Sequence, residues 1–291
     1  MSLSHPVLVV GGGAVARALV RALAGSARLN APIRIWARNP EQAKSIANAF
    51  DGPALCAVSD LSAAASGVGT IVICVSDDAI EQVASLLAGQ LKQAASVTAL
   101  HMSGYLGVAA LAPLSSAGFE TGAMHPIASI AMGSPQACFE GVYFGVSGSP
   151  SAMAEAEHLV DAIGGRAVSV KDAARGLYHG AAALLSGGVV ALFAEAQRCL
   201  SEALGDTPEG SKNKAVARAI LLGLLESTTE NLSLSSPMNA LTGPLSRGDH
   251  EVVKGHALAF EEANLERASK LHALLLETMV ELVELRRASE K

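Results

Sequence analysis

Three histidines of this chain stand at the edges of apolar runs, where an imidazole side chain could transfer protons near neutral pH. His101 follows residues 96–100 and His125 follows residues 119–124, and both runs predict strands buried in a sheet. His179 lies near the beginning of a long apolar stretch that predicts a helix. We predict that His125 or His179 transfers a proton to or from a substrate. The alternative for each is a structural histidine that hydrogen-bonds inside the protein.

Hydroxyl and guanidinium groups in the second half of the chain could position a small anionic substrate. Ser186 lies two helical turns after His179 and so shares its helix face. Thr242 and Arg247 lie in a loop between predicted helices, where an arginine could hold a carboxylate through two hydrogen bonds. We predict that Ser186 completes the catalytic set and that Thr242 and Arg247 bind substrate. The alternative is a helix-capping loop whose shape is fixed by a pair between Arg247 and Asp249.

The opening of the chain carries a glycine motif suited to a dinucleotide. Residues 7–10 are apolar and predict a buried strand, and residues 14–24 predict a helix. The glycines between them follow the G-x-G-x-x-A pattern, which allows a tight turn and a close approach of pyrophosphate to the backbone. The helix N-terminus adds free N–H groups and a positive dipole end. The predicted phosphate-binding residues are Gly11, Gly12, Gly13, Ala14 and Val15. The alternative is a turn that binds nothing.

A second predicted strand, residues 33–37, is followed by Arg38 and Asn39. An NAD-binding site usually has an acidic residue near this point, where it accepts hydrogen bonds from the ribose 2′-hydroxyl. A guanidinium and a small polar group suit a 2′-phosphate instead, which favours NADP(H) as the cofactor. The alternative is that Arg38 is a solvated surface cation. Five further residues at strand ends are expected to border the cofactor: Val75, Ser76, Asp77, His101 and Ser103.

The composition limits the class of partner. Half of the residues are apolar and 3% are aromatic, which suits parallel strands covered by closely packed helices. The net charge of −6 and the lack of basic runs argue against binding to nucleic acid. The four cysteines lie far apart, and the first strand begins too early for a secretory leader, so we expect a cytoplasmic protein with reduced, mostly buried cysteines. No His, Cys, Asp and Glu residues have the spacing of a metal site.

Apolar segments divide the chain into two parts. Short strands alternate with helices up to about residue 170, and long helical patterns follow. We predict an α/β Rossmann domain with a mostly parallel sheet over residues 1–170 and an all-helical domain over residues 171–291. Residues 176–194 carry no formal charge, and we predict a central helix buried on all sides rather than a membrane span. The last long helix is predicted over residues 251–287.

Four motifs have a combination of residues that is familiar from a known family. They are His101-Met102-Ser103-Gly104, Met124-His125-Pro126, Tyr178-His179-Gly180-Ala181-Ala182 and residues 240–249. Together they resemble a bacterial family of Rossmann-like proteins whose C-terminal half is a domain of unknown function, similar to pyrroline-5-carboxylate reductase, ketopantoate reductase and deazaflavin-dependent NADP reductases. The resemblance implies an NADP-binding Rossmann domain and a helical domain like that of 6-phosphogluconate dehydrogenase, usually buried against a second subunit.

The chain departs from these relatives at two positions. In the resembled family a Ser-Asn pair follows the Tyr-His segment, whereas Ser186 is followed here by Gly187. The hydroxyacid dehydrogenases have a catalytic lysine on the corresponding helix, and this chain has no lysine between Lys171 and Lys212. A lysine-dependent mechanism is therefore not expected.

The motifs and the resemblance together predict an NADP(H)-dependent oxidoreductase. We expect it to act on a small keto or imino acid, or on the corresponding hydroxy or amino acid, in a cleft between the two domains. A homodimer formed through the helical domain is expected, with neither nucleic acid nor a membrane as partner. The alternative is a non-catalytic protein that senses NADP(H) and acts through a partner protein. The missing lysine and asparagine both favour this alternative.

Overall fold

The computed structural model describes residues 4–50, 55–91, 97–131, 139–205 and 211–290. The chain divides into two compact units, Met1–Ala183 and Leu184–Lys291. The division falls inside a long helix and not at residue 170, because the first turns of this helix are bonded to the sheet through Arg175 and Tyr178.

The described strands of the first unit form an eight-stranded sheet. They are β1 (Val7–Val10), β2 (Ile33–Trp36), β3 (Leu55–Ala57), β4 (Thr70–Ile73), β5 (Thr98–His101), β6 (Glu120–Pro126), β7 (Tyr143–Gly148) and β8 (Arg166–Ser169). Their order is β3-β2-β1-β4-β5-β6-β7-β8. Neighbouring strands are parallel except β6 and β7, which pair antiparallel with His125 opposite Gly145. The predicted Rossmann-like α/β fold with a mostly parallel sheet is confirmed.

Helices cover both faces of this sheet. They are α1 (Ala14–Ala24), α2 (Pro40–Ala47), α3 (Leu61–Ala65), α4 (Asp77–Gln90), α5 (Ala112–Ser116) and α6 (Pro150–Ala162), with 3₁₀ turns at Val108–Leu111 and Asp172–Ala174. The side chains of successive residues of β1 point to opposite faces of the sheet. Val7 and Val9 pack in one apolar cluster with Leu19 of α1, while Leu8 and Val10 pack in a second cluster. The strand is apolar throughout because both of its faces are buried.

The second unit is helical. Helix α7 (Arg175–Ala203) enters it from the first unit, and the others are α8 (Ser211–Leu234), α9 (Pro237–Ala240), α10 (Pro244–Arg247), α11 (His250–Glu262) and α12 (Glu266–Ser289). The prediction of one helix over residues 251–287 is wrong, because the chain turns between α11 and α12. Asn264 there has a φ of +54°, a left-handed conformation that asparagine tolerates. The N–H of Leu265 then closes the turn on the carbonyl of Phe260 at 2.8 Å.

The prediction that α7 is buried on all sides is wrong for the chain by itself. Leu177 is 80% exposed and Leu184 is 78% exposed. The helix carries apolar residues on every side, and one chain supplies too few neighbours to cover them. In the described chain, Asp172–Ala203 is also the one helical stretch long and apolar enough to cross a membrane, a property shared by core helices of soluble proteins.

Three of the four cysteines lie within the described residues, and all three are free thiols. Cys74 is buried and Cys199 is half-buried, but Cys56 is exposed, so the expected burial does not extend to Cys56. Cys138 lies outside the described residues.

Candidate functional site

Backbone crowding explains the first glycine after β1. Gly11 has a φ of +140°, and a Cβ atom there would lie 2.3 Å from the carbonyl oxygen of Cys74, so only glycine fits. The N–H of Gly11 donates to the carbonyl of Trp36 at 2.8 Å and ties the turn to β2. A Cβ at Gly12 would lie 2.5 Å from Oε1 of Gln42, so this residue packs against α2. The turn is therefore held by close backbone approach at both residues.

The third glycine faces open space at the N-terminus of α1. Gly13 is the N-cap of α1, and no side chain caps the helix there. A Cβ at Gly13 would meet nothing within 4 Å. The first turn, which begins with Ala14 and Val15, has no acidic residue, so no carboxylate from that turn neutralises the positive end of the helix dipole. The pyrophosphate of a dinucleotide fits this arrangement of open space and backbone N–H groups.

An exposed arginine, Arg38, follows the end of β2. Its side chain makes no hydrogen bond or ion pair within the described part of the chain. Asn39 is the N-cap of α2, and its side-chain oxygen accepts the N–H of Glu41 at 3.0 Å. Capping thus occupies the Asn39 oxygen and leaves its amide nitrogen for a phosphate. A second guanidinium, Arg17 on α1, donates to Ser45 of α2 at 3.0 Å.

The end of β4 and the loop after β5 are joined by one hydroxyl. Val75 is half-buried, Ser76 is the exposed N-cap of α4, and Asp77 begins that helix. The buried Ser103 hydroxyl donates to Oδ2 of Asp77 at 2.9 Å and accepts the N–H of Leu106 at 2.9 Å. Val75, Ser76 and Asp77 line the carboxyl end of β4, where ligands of such sheets bind. The Ser103 hydroxyl is instead committed to the shape of its loop.

His101, at the end of β5, is fully buried and uses both ring nitrogens for backbone bonds. Nδ1 accepts the N–H of Ser103 at 3.2 Å, which leaves Nε2–H to donate to the carbonyl of Gly107 at 3.2 Å. Burial, together with the Arg175 guanidinium, lowers the pKa of His101 to about 4, so the ring is neutral at pH 7. The expected contact between the His101 ring and a cofactor is not supported, because the ring has no exposed surface.

A cluster of four rings lies at the start of α7. Nδ1 of His125 lies 3.0 Å from the hydroxyl of Tyr178, and that hydroxyl also donates to the His125 carbonyl at 3.2 Å. The His125 ring meets the rings of Tyr178 and His179 edge to face, with centroids 5.6 Å and 5.7 Å apart. Tyr105 lies against His179 with centroids 6.4 Å apart. The structure thus brings together both histidines that the sequence singled out for proton transfer.

Two glycines make room for these rings. A Cβ at Gly104 would lie 2.6 Å from Cδ2 of His179 and 2.8 Å from Nε2 of His125. A Cβ at Gly145, on β7, would lie 2.5 Å from the Tyr178 hydroxyl. Any larger residue at either position would displace the cluster, which explains why β7 lacks a side chain opposite His125.

A buried guanidinium joins the loop after β5 to β7. Arg175 is 1% exposed and begins α7. It donates to the carbonyls of Ser103 at 2.9 Å and Gly145 at 3.3 Å, and to the hydroxyl of Ser147 at 3.1 Å. The carboxylate of Asp172 lies 3.7 Å from its Nε. These bonds use the guanidinium within the protein, so Arg175 supports the ring cluster and is not free to bind a substrate carboxylate.

The surroundings of His125 keep its ring neutral. Burial is the largest cause, and the neighbouring His179 and Arg175 add to it, so that the pKa of His125 falls to about 4. Burial also raises the pKa of the Tyr178 hydroxyl. Both members of the pair are therefore neutral at pH 7. A neutral imidazole exchanges hydrogen bonds with a substrate and takes a proton more readily than it gives one.

Sequence reasoning missed the side chains that support the histidines. Tyr178 stands in one of the motifs, directly before His179, but the motif alone gave it no role. The sequence did not indicate a buried role for Arg175 and Asp172, because charged side chains at the start of a helix are usually exposed to solvent. The charge-free stretch that follows Arg175 was the one available clue that this arginine is buried.

The remaining predicted residues lie in the second unit. Ser186, Thr242 and Arg247 are exposed there. Arg247 pairs with Asp249 at 3.1 Å, as the capping-loop alternative required. The loop is also held by Arg286 of α12, which donates to Oγ of Ser246 at 2.8 Å. His179 belongs to the first unit and Ser186 to the second, so their joint role stays a prediction. Within the described residues, no three His, Cys, Asp or Glu side chains could hold a metal ion.

The glycine turn at the carboxyl end of a mostly parallel sheet defines a Rossmann-type nucleotide-binding protein. Residues 6–100 match the family described as NADP oxidoreductase coenzyme F420-dependent, and residues 142–277 match a domain of unknown function, DUF2520. The first part of the chain is thus similar to an NADP oxidoreductase domain and the second part to this C-terminal domain, and the resemblance found in the sequence is confirmed. No curated protein matches the chain.

Solved structures share the fold over nearly the whole length. A protein from Thermotoga maritima is 21% identical, with a TM-score of 0.70 over 97% of this chain and 99% of its own. An imine reductase from Myxococcus stipitatus in complex with NADP⁺ is 15% identical, with a TM-score of 0.63 over 96% and 94%. A pyrroline carboxylate reductase from Plasmodium falciparum with NADP bound is 12% identical, with a TM-score of 0.60 over 96% and 100%.

Proposed function

We propose that this protein is an NADP(H)-dependent oxidoreductase of a small keto or imino acid, or of the corresponding hydroxy or amino acid. The observation that carries the proposal is the open N-terminus of α1 at Gly13, where neither a side chain nor a carboxylate of the first turn takes the place of a phosphate. The NADP oxidoreductase match over residues 6–100 and the NADP-bound structural neighbours support it.

We assign the binding and catalytic roles to the following residues. The segment Gly11–Val15 would hold the pyrophosphate, and Arg38 with the amide nitrogen of Asn39 would hold the 2′-phosphate. The bound nicotinamide would supply the hydride chemistry. His125, supported by His179, would exchange the proton at the reacting atom of the substrate.

Substrate selection is the second part of the proposal. Thr242 and Arg247 would bind a carboxylate, and Ser186 would complete the catalytic set as the sequence predicts. Arg247 is exposed and shares its charge with Asp249, so a carboxylate would compete with that aspartate for the guanidinium.

Binding of NADPH to a Gly13→Val variant tests the cofactor site. The new side chain enters open space, so the fold should persist while NADPH binds about tenfold more weakly or worse, a loss of at least about 1.4 kcal/mol. Gly89→Val is the matched control, since Gly89 lies on α4 and also has nothing within 4 Å. Equal affinity of the Gly13→Val variant and the parent protein in a fluorescence titration would refute the site.

Arg38→Ala tests the choice between NADPH and NADH. Loss of a charge-assisted contact should weaken NADPH about tenfold or more and leave NADH unchanged. Arg28→Ala is the control, because Arg28 pairs with Asp161 and no role in cofactor binding is assigned to it. Equal affinity of the native protein for the two cofactors would remove the NADP assignment.

A second candidate function is a sensor of NADP(H) that acts through a partner protein. The observation that favours it is the lack of lysine in α7, where the hydroxyacid dehydrogenases carry their catalytic residue. A screen of keto, imino, hydroxy and amino acids with both cofactors separates the two functions. Turnover that falls in a His125→Ala variant supports the enzyme, whereas tight NADPH binding without turnover on any substrate supports the sensor.

The homodimer expected from the sequence belongs to the same proposal. Apolar side chains that are exposed in the single chain on α7, α8 and α12 support it, because a second copy of the helical domain would cover them. A cytoplasmic location also stays a proposal, supported by the free thiols of the described cysteines.

A further inference from the structure

The contact between His125 and Tyr178 constrains the position of a proton. The Tyr178 hydroxyl has one hydrogen, and two acceptors lie near it: Nδ1 of His125 at 3.0 Å and the carbonyl oxygen of the same residue at 3.2 Å. If the hydroxyl donates to Nδ1, the contact with the carbonyl has no hydrogen. If Nδ1 carries a proton and donates to the phenol oxygen, the hydroxyl is free to donate to the carbonyl and both contacts are hydrogen bonds.

We infer that Tyr178 is a positioning residue that holds His125 in the tautomer with its proton on Nδ1, so that Nε2 presents a lone pair to the substrate. The substrate atom that meets His125 is then a hydrogen-bond donor, such as a hydroxyl, an amine or a protonated imine. The tautomer assignment rests on the structure alone, while its consequence for the substrate rests on the proposed function.

The second nitrogen of His125 is available for such a contact. Nε2 makes no hydrogen bond within the described part of the chain, and the residue is only half-buried. Gly104 brings no side chain against Nε2, whereas a Cβ at that position would lie 2.8 Å from this atom and would crowd it. The His179 ring approaches edge to face and adds no proton donor that bonds to Nε2. A donor on the substrate would therefore complete the hydrogen bonding of the His125 ring.

This tautomer discriminates between the substrates left open above. A carbonyl oxygen has no hydrogen to offer Nε2 and would place two lone pairs against each other. A hydroxyl or an amine donates to Nε2, which is also the atom that would take its proton during oxidation, while a protonated imine donates its N–H in the same way. The site is accordingly better suited to oxidation of a hydroxy or amino acid, or to reduction of a protonated imine, than to reduction of a neutral ketone.

Nitrogen-15 NMR of the histidine rings in the full-length protein, without cofactor, tests the assignment directly. In the parent protein, the His125 signals should show a protonated Nδ1 and an unprotonated Nε2 near neutral pH. In Tyr178→Phe, which keeps the ring but removes the hydroxyl, the proton should move to Nε2 in a large share of molecules. Tyr105→Phe is the matched control, because the side chain of Tyr105 faces His179 and makes no hydrogen bond to His125.

The outcomes separate the inference from the function it would serve. A parent protein with its proton on Nε2 of His125, or a Tyr178→Phe variant with unchanged His125 signals, would overturn the inference. A confirmed tautomer that Tyr178→Phe shifts would establish the role of Tyr178 even if no acid turned over. If turnover is found, kcat/KM for the hydroxy or amino acid should fall about tenfold or more in Tyr178→Phe. It should stay unchanged in Tyr143→Phe, which removes a hydroxyl that contacts Arg166 and lies outside the ring cluster.

Discussion

The two units of this chain differ in how completely each buries its apolar side chains. In the first unit, every residue of β1 is fully buried, and the two apolar clusters on either side of the sheet are continuous. In the second unit, only five described residues are buried, all of them scattered: Glu195, Ala217, Leu245, Ala268 and Val283. The sheet unit therefore completes its own core, whereas the helical unit leaves many of its apolar side chains exposed in the single chain.

The same contrast extends to the polar groups. In the first unit, Arg175 and His101 are buried and bonded to backbone atoms, so they fix the loop that carries Gly104. In the second unit, Arg247 and Asp249 form an ion pair that is exposed to solvent. The histidines predicted to transfer a proton thus lie in the unit with the complete core, and the predicted substrate-binding residues lie in the unit whose apolar side chains are mostly exposed in the single chain.

The largest effect is expected from charges placed on the exposed apolar face. We predict that Leu184→Glu on α7 or Leu224→Glu on α8 converts a dimer into monomers, because burying an unpaired carboxylate in an interface costs several kcal/mol. Sedimentation equilibrium of each variant measures the mass directly. Leu86→Glu is the matched control, since Leu86 is also exposed but lies on α4 of the first unit. A parent protein that is monomeric at micromolar concentration would contradict this prediction. It would also contradict the inference that the exposed apolar side chains of the helical unit are covered by a second copy.

A smaller effect should separate the cores of the two units. Ile71→Ala on β4 removes a fully buried side chain and should lower the free energy of unfolding by about 2–5 kcal/mol, whatever the protein concentration. Leu274→Ala on α12 truncates an exposed side chain and should cost less than about 1 kcal/mol in monomers, and more where a dimer forms. Urea unfolding at two protein concentrations measures both. Equal losses in the two variants at high dilution would show that the helical unit has a core of its own.

These contrasts also explain which parts of the structure the sequence could predict. The strand, the glycine turn and the start of α1 are adjacent in the chain, so local pattern was sufficient to place Gly11 and Gly13. The role of Arg175 depends on carbonyls about thirty and seventy positions away, at Gly145 and Ser103, and no local pattern encodes such contacts. The burial of α7 on all sides was wrongly predicted. Hydropathy indicates that a side chain is apolar, but it does not indicate whether residues of the same chain cover that side chain.

The last predicted effect concerns acid stability of the sheet unit, through His101, and it is seen only below neutral pH. The usual pKa of histidine is about 6.5, and in the folded protein that of His101 is about 4, so the unfolded chain binds a proton between these values that the folded protein does not. Stability is then unaffected by His101 above about pH 7 and falls as the pH drops toward 4, by up to about 3 kcal/mol.

The physical reason is that a proton on Nδ1 of His101 would face the N–H of Ser103 and break their hydrogen bond. We predict that His101→Gln lowers the free energy of unfolding at pH 7 but makes it depend less steeply on pH between 6.5 and 4. The remaining pH dependence has the same sign and includes the contribution of His125, whose pKa is also lowered. Urea unfolding of both proteins at several pH values gives the two slopes. Equal slopes would mean that the His101 ring is not held neutral by burial, and that the loop carrying Gly104 depends on Arg175 for its position and not on this histidine.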